Sequence, residues 1–209
     1  MGITIEDGLG SGEMAEVFDN RLRTFAVQDS LMNHLSVEPE HQTVYDTVGT
    51  ITIASGITSA SGGIVLFLQN NDPSRFIIID RIYVQVAQPV AASLPQTSTY
   101  FSVGFGRTYL SGGTALNMVN ENRFTTNTAL ATAVNVNGAT LLGLTGTVTE
   151  ALRFYPQAGP VFEIVPQAGD SIILTRGNSI EVDFSAGILG SGVALAVMRF
   201  AQVLPGHMG

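Results

Sequence analysis

Few residues in this sequence are spaced to do chemistry. His34 and His41 bracket Glu38 and Glu40, and imidazole with carboxylate can hold a metal ion. Two ligands seven residues apart share a helical face, but Pro39 breaks any helix between them, so a charged linker is expected instead. His207 stands alone near the C-terminus. Glu181 and Asp183 form the other candidate, because paired carboxylates carry out glycoside hydrolysis. Their alternation with Ile180, Val182 and Phe184, however, predicts a strand whose acids face water. The glycines of "GLGSG" and "GFGRTYLSGG" lack both the Lys-Ser/Thr of a phosphate loop and the βαβ context of a dinucleotide site. With no cysteine and no Gly-x-Ser-x-Gly elbow, no catalytic, metal-binding or cofactor-binding residue is assigned, and a non-enzymatic protein without cofactors is expected.

Composition points toward contact surfaces. The chain has 209 residues, 45% of them hydrophobic, enough for one domain with an appendage. Its formal charge is −8, and residues 1–46 supply −7 of it, from nine acids and two arginines. All nine basic residues are Arg, which suits planar, bidentate pairing at interfaces better than Lys does. An acidic chain whose body carries −1 has no basic footprint for nucleic acid. No apolar run approaches the roughly 18 residues of a membrane span, and the first residues are acidic where a signal peptide is basic, so a soluble protein that is not conventionally secreted is expected.

The elements that would position such surfaces are strands. From residue 47 onward, short apolar runs alternate with Gly, Pro, Asn, Asp and Ser, the pattern of an all-β domain. In "TVGTITIASG" Thr50 and Thr52 alternate with Ile51 and Ile53, as in a half-buried strand. Ile64–Leu68 is apolar on both faces; Asn70-Asn71-Asp72-Pro73 supplies turn chemistry; Phe76–Val86 is a long strand, and the pair is expected to form a central hairpin. Phe101, Val103 and Phe105 share one face of another strand. Residues 107–160 are expected to hold loops and one or two edge strands, and "VFEIVP", "SIILTR", "SIEVDFS" and "GVALAVMRFAQV" complete the set. The whole predicts a jelly-roll-like antiparallel β-sandwich over 47–209, preceded by an extended acidic arm over 1–46.

Within the arm, "MAEVFDNRLRTFAV" reads as an extended piece with apolar groups on both faces. Val17, Arg21, Arg23, Phe25 and Val27 would point one way, and Phe18 and Leu22 the other. A segment of this kind needs cover from its own domain or another chain. Val17, Phe18, Arg21, Leu22, Arg23, Phe25 and Val27 are therefore the expected partner-binding anchors. Ordering the arm costs roughly 1–2 kcal/mol per residue, which those anchors must offset.

Several stretches taken in order, "AEVFDNRLRTFAV", "GTITIASG", "IVLFLQNNDPSRFIIIDRIYV" and "GATLLGLTG", resemble small structural proteins of tailed bacteriophage virions. This chain differs from that pattern at Gln69, where Lys is expected, and in the added Asp72-Pro73-Ser74-Arg75. The resemblance implies a capsid decoration or cement protein on the outer surface of the virion, bound to the major capsid protein and self-associating as a homotrimer. A glycan- or receptor-binding β-sandwich module of a phage fibre or tail is the alternative, with Tyr45, Tyr83, Tyr100, Tyr109 and Tyr155 as the available stacking rings.

Overall fold

The computed structural model describes residues 44–53, 63–87, 99–121, 128–136, 142–155, 160–166, 171–186 and 192–204, together with the backbone of 16–18 and 21–23. Among them there is no helix. The strands in chain order are β1 (Glu16–Phe18), β2 (Arg21–Arg23), β3 (Val44–Ile53), β4 (Ile64–Asn70), β5 (Phe76–Ala87) and β6 (Thr99–Phe105). There follow β7 (Thr108–Ser111), β8 (Thr114–Ala115), β9 (Met118–Asn120), β10 (Ala131–Asn135) and β11 (Gly143–Thr145). The chain then forms β12 (Thr149–Phe154), β13 (Val161–Ile164), β14 (Ile172–Leu174), β15 (Ser179–Ala186) and β16 (Gly192–Val203).

Two antiparallel sheets make the sandwich. The first has the order β12-β6-β15-β4-β10-β8; the second has β13-β5-β16-β3-β9, with β14 also paired to β5. The first long strand, β3, pairs with the last, β16, and β4 pairs with β15. Likewise β5 pairs with β13 and β14, and β6 with β12. This nested pairing is a two-stranded ribbon rolled around a core, which is the jelly-roll topology expected from the strand pattern. β3 starts at Val44, so Tyr45 belongs to the sheet and stacks on Phe200 at 5.5 Å.

Alternation decides which side chains fill the core. Ile51 and Ile53 are buried while Val48 and Thr52 on the same strand are exposed. Phe101 and Val103 are fully buried, and Phe105 packs against them. A run of rings, Phe184, Phe101, Phe154 and Phe162, crosses from the first sheet to the second with centroids 5.0, 5.7 and 6.4 Å apart. Burying one such ring stabilises the fold by about 1.5–3 kcal/mol.

β4 and β5 do not form the expected hairpin. They lie in different sheets, and the chain crosses between the sheets at residues 71–75. Asn70 and Asp72 organise that crossing. The Asn70 side chain accepts a bond from the Asp72 N–H at 2.9 Å and donates to the carbonyls of Arg75 and Leu174, both at 2.9 Å. Asp72 Oδ1 accepts from the N–H groups of Ser74 and Arg75 at 2.8 and 3.0 Å. These are side chain-to-backbone bonds of the kind that make a tight turn without a ladder. β4 is apolar on both faces because it needs cover on both. One face packs into the sandwich. The other carries Phe67, which joins Ile64, Val134 and Val136 in a second cluster closed by Tyr109, Leu142 and Leu144.

Residues 107–154 hold more strand than the expected one or two edges. β7 and β11 pair as a separate ribbon, and its Tyr109 and Leu144 pack into the cluster around Phe67, so the ribbon makes a third layer over the first sheet. Tyr109 fixes that layer: its N–H donates to Gln69 Oε1 at 2.8 Å and its ring lies 6.4 Å from Phe67. β8 and β9 extend the first and second sheets respectively by one short edge strand each.

Candidate interaction face

β16 sits in the middle of the second sheet and is apolar on both sides. Ala194, Ala196 and Met198 are buried in the core, and the alternating positions Val193, Leu195 and Val197 point outward. Register places their neighbours. Val197 lies between Val48 on β3 and Tyr83 on β5; Leu195 lies between Thr50 and Gln85, and Gln85 in turn faces Val161 on β13. Val193 lies between Thr52 and Ala87. Val48 is 48% and Val161 55% exposed. A sheet face open to water normally presents polar residues; this one presents valine, leucine and tyrosine with threonine between them.

Charge is confined to one end and one corner of the face. Arg81 Nε bonds Asp80 at 3.0 Å, and its Nη1 lies 3.4 Å from Glu163. Arg199 bonds Glu121 through Nη2, and its Nε lies 3.6 Å from Asp80. Partial burial holds the Glu121 carboxyl above the usual carboxylate range, against the opposing pull of Arg199.

Glu181 and Asp183 do not face water as the alternation suggested. They are 1% and 5% exposed. Strand alternation was read correctly, but the outward side of β15 lies under the residues that follow β6. Arg107 closes over the pair, donating from Nε to Glu181 Oε2 at 2.8 Å and from Nη2 to Oε1 at 2.6 Å. Its Nη2 also lies 3.8 Å from Asp183 Oδ2. Burial, reinforced by the neighbouring Glu181 charge, pushes the Asp183 carboxyl up to about 8, so one proton is retained between two acids that share one arginine. The arrangement is a closed structural triad rather than a pair open to a sugar. Beside it, a cleft of about 320 Å³ opens between Arg107 and Thr108 on one side and Gly177 to Ser179 on the other, but the Arg107 fork is already committed to Glu181.

The expected arm anchors are placed as follows. Val17 and Phe18 belong to β1, and Arg21, Leu22 and Arg23 to β2; the two strands pair antiparallel in a sheet of their own, with Val17 opposite Leu22. That pairing replaces the single extended strand expected through residues 14–27, of which only 16–18 and 21–23 are described. Phe25 and Val27 lie outside the described residues, as do His34, His41 and His207. The outward face of β16 was missed from the sequence, although "GVALAVM" carried the signal: apolar at every position of a strand long enough to cross a sheet.

No family model and no curated protein matches the chain. Among solved structures, it is similar to "Structure of infectious bursal disease virus Gt strain", at 13% identity and a TM-score of 0.13, over 77% of this chain and 41% of that one. A score that low carries no weight for fold or function.

Proposed function

We propose that the chain is a non-enzymatic structural protein of a phage virion, a capsid decoration or cement protein that binds the outside of the head and strengthens contacts between major capsid subunits. The observation that carries this reading is the block of Val48, Val161, Val193, Leu195, Val197 and Tyr83 on the outward face of the second sheet of a jelly-roll body. A protein that works alone in water gains nothing from such a face, whereas an assembly protein buries it. The sequence resemblance to phage structural proteins supports the same reading. Jelly rolls serve capsids and lectins alike, so the fold itself is only an analogy.

In this reading the acidic arm grips the shell and the sandwich forms the body of a trimer. The test uses capsid shells that lack the protein. Full-length chain is expected to saturate them at a fixed ratio, and a chain without residues 1–27 to lose at least about tenfold in affinity, or roughly 1.4 kcal/mol. Equal occupancy by both would contradict the role given to the arm.

One observation favours the second reading, a glycan-binding module. The Arg153 guanidinium lies 4.2 Å over the Tyr100 ring, and Tyr155, half exposed, meets Tyr100 edge-on at 6.2 Å. Glu150 holds Arg153 through bonds of 2.8 and 2.6 Å. Binding of the isolated protein to an oligosaccharide array, lost in Tyr155→Ala, would move the assignment to that class.

A further inference from the structure

We infer that the β7–β11 ribbon is a strap whose grip on the first sheet is governed by pH, through a proton held on Asp183 beneath Arg107. The strap joins that sheet at a narrow root. Gly106 leads from β6 into β7 and Gly146 leads from β11 toward β12, both at positive φ, 102° and 91°. They lie side by side, since a β-carbon on Gly146 would meet the Gly106 carbonyl oxygen at 2.8 Å. Beyond this root two separate contacts hold the strap down. One is apolar, Tyr109 and Leu144 over Phe67, Val134 and Val136. The other is the Arg107 fork on Glu181, with Ser179 Oγ donating to the Arg107 carbonyl.

One guanidinium cannot match two buried carboxylates. Both of its bonding arms go to Glu181, which leaves Asp183 Oδ2 at 3.8 Å and Asp183 Oδ1 without a hydrogen-bond partner. The other groups around Asp183 do not supply the missing charge. Strand β6 places Ser102 opposite it and Tyr100 two residues away, and β4 places Ile64. From β12 comes Glu150, whose charge pushes the Asp183 carboxyl up further, while the fork of Arg153 is bound to Glu150. Asp183 therefore stays buried by keeping a proton, and its carboxyl is held up at about 8. Once ionised it needs water, and lifting the Arg107 end of the strap is the movement that admits it. Where the strap is lifted, Asp183 titrates at its ordinary 3.8. Between those two values the lifted state has lost the proton and the closed state has kept it. Lifting therefore becomes about tenfold easier for each unit of rising pH and levels off above about pH 8.

The chain has no cysteine, so a single introduced thiol reports alone. Val134→Cys places it beneath the strap, Val84→Cys between the two sheets, and Val48→Cys on the exposed side of the second sheet as the reference for reagent chemistry. Labelling by a dithiodipyridine is followed from about pH 5.5 to about pH 7.5, and each rate is divided by that of Val48→Cys. Over this range the Val134→Cys ratio is expected to rise at least about tenfold and at most about a hundredfold. Adding Asp183→Asn should hold it flat, and Val84→Cys should stay protected throughout. Circular dichroism checks the fold of each variant, and Val136→Cys, also beneath the strap, repeats the measurement should Val134→Cys not fold. A flat ratio beneath the strap, a rise that survives Asp183→Asn, or an equal rise at Val84→Cys, the mark of whole-domain unfolding, would each overturn the inference. None of these outcomes depends on the virion role.

Discussion

Gly49→Ala is expected to remove most of the stability of the sandwich. A β-carbon at residue 49 would lie 2.0 Å from the Val65 carbonyl oxygen, 3.0 Å from its carbonyl carbon and 3.2 Å from Leu66 Cβ. Gly49 is on β3 in the second sheet, and Val65 is on β4 in the first, so the backbones of two facing sheets approach closely here. Glycine inside a strand commonly marks such an approach. The obstacle is main chain at the β-bulge where the pairing of β15 skips from Leu66 to Ile64, so no side-chain rotation relieves it. Overpacking against movable side chains costs typically 1–3 kcal/mol. Against backbone at this distance the expected loss is about 4 kcal/mol or more, a large part of the 5–15 kcal/mol that a domain has. Urea denaturation would read it as a collapse of the midpoint or as insoluble protein. Gly177→Ala is the control: its φ is +81° but nothing lies within 4 Å of the added carbon, so only local strain of ~1 kcal/mol is expected. Equal effects at the two positions would contradict the close crossing.

Asp183→Asn is expected to make the protein more stable near neutral pH and to flatten its pH dependence. The folded carboxyl is raised to about 8 from an ordinary value of 3.8, so the native state keeps a proton that the unfolded chain gives up. Stability from this group is therefore fully present below about pH 4 and is lost as pH rises toward about 8, the reverse of an acid stabilised by a salt bridge. At ~1.4 kcal/mol per pH unit, the upper limit of the loss between pH 5 and pH 7.5 is about 3.5 kcal/mol. Asparagine mimics the protonated carboxyl, offering an N–H where the acid offers an O–H, and never ionises. Denaturant curves for both proteins at the two pH values should diverge, the parent losing stability and the variant holding it. Parallel profiles would mean that Arg107 compensates both acids and that no proton is retained.

How far the sequence could be read depended on what each pattern encodes. Alternation in "TVGTITIASG" and "SIEVDFS" placed β3 and β15 and named their core residues, because period-two burial is a local property. The outer sides of the same strands were not legible. Whether Glu181 meets water depends on Arg107, 74 residues away along the chain, and the stretch that carries Arg107 has weak periodicity and many turn formers. Turn chemistry at Asn70-Asn71-Asp72-Pro73 was legible as a turn but not as a change of sheet, since Asx bonds reverse a chain equally well in both cases. The double-sided apolarity of Ile64–Leu68 pointed to the right answer: a strand with pairing on both edges and cover on both faces. The interaction face was hidden for a related reason. "GVALAVM" reads as a buried strand, and only the register of β16 between β3 and β5 reveals that one of its sides has no layer above it among the described residues.

The most direct test of the assembly role is electron cryomicroscopy of purified virions, with the protein's copy number measured in the same particles. The account predicts jelly-roll density on the outer surface of the head, in a fixed ratio to the major capsid protein, with the second sheet turned toward neighbouring copies. Particles that lack the protein, or that carry it on a fibre with that sheet open to solvent, would contradict it.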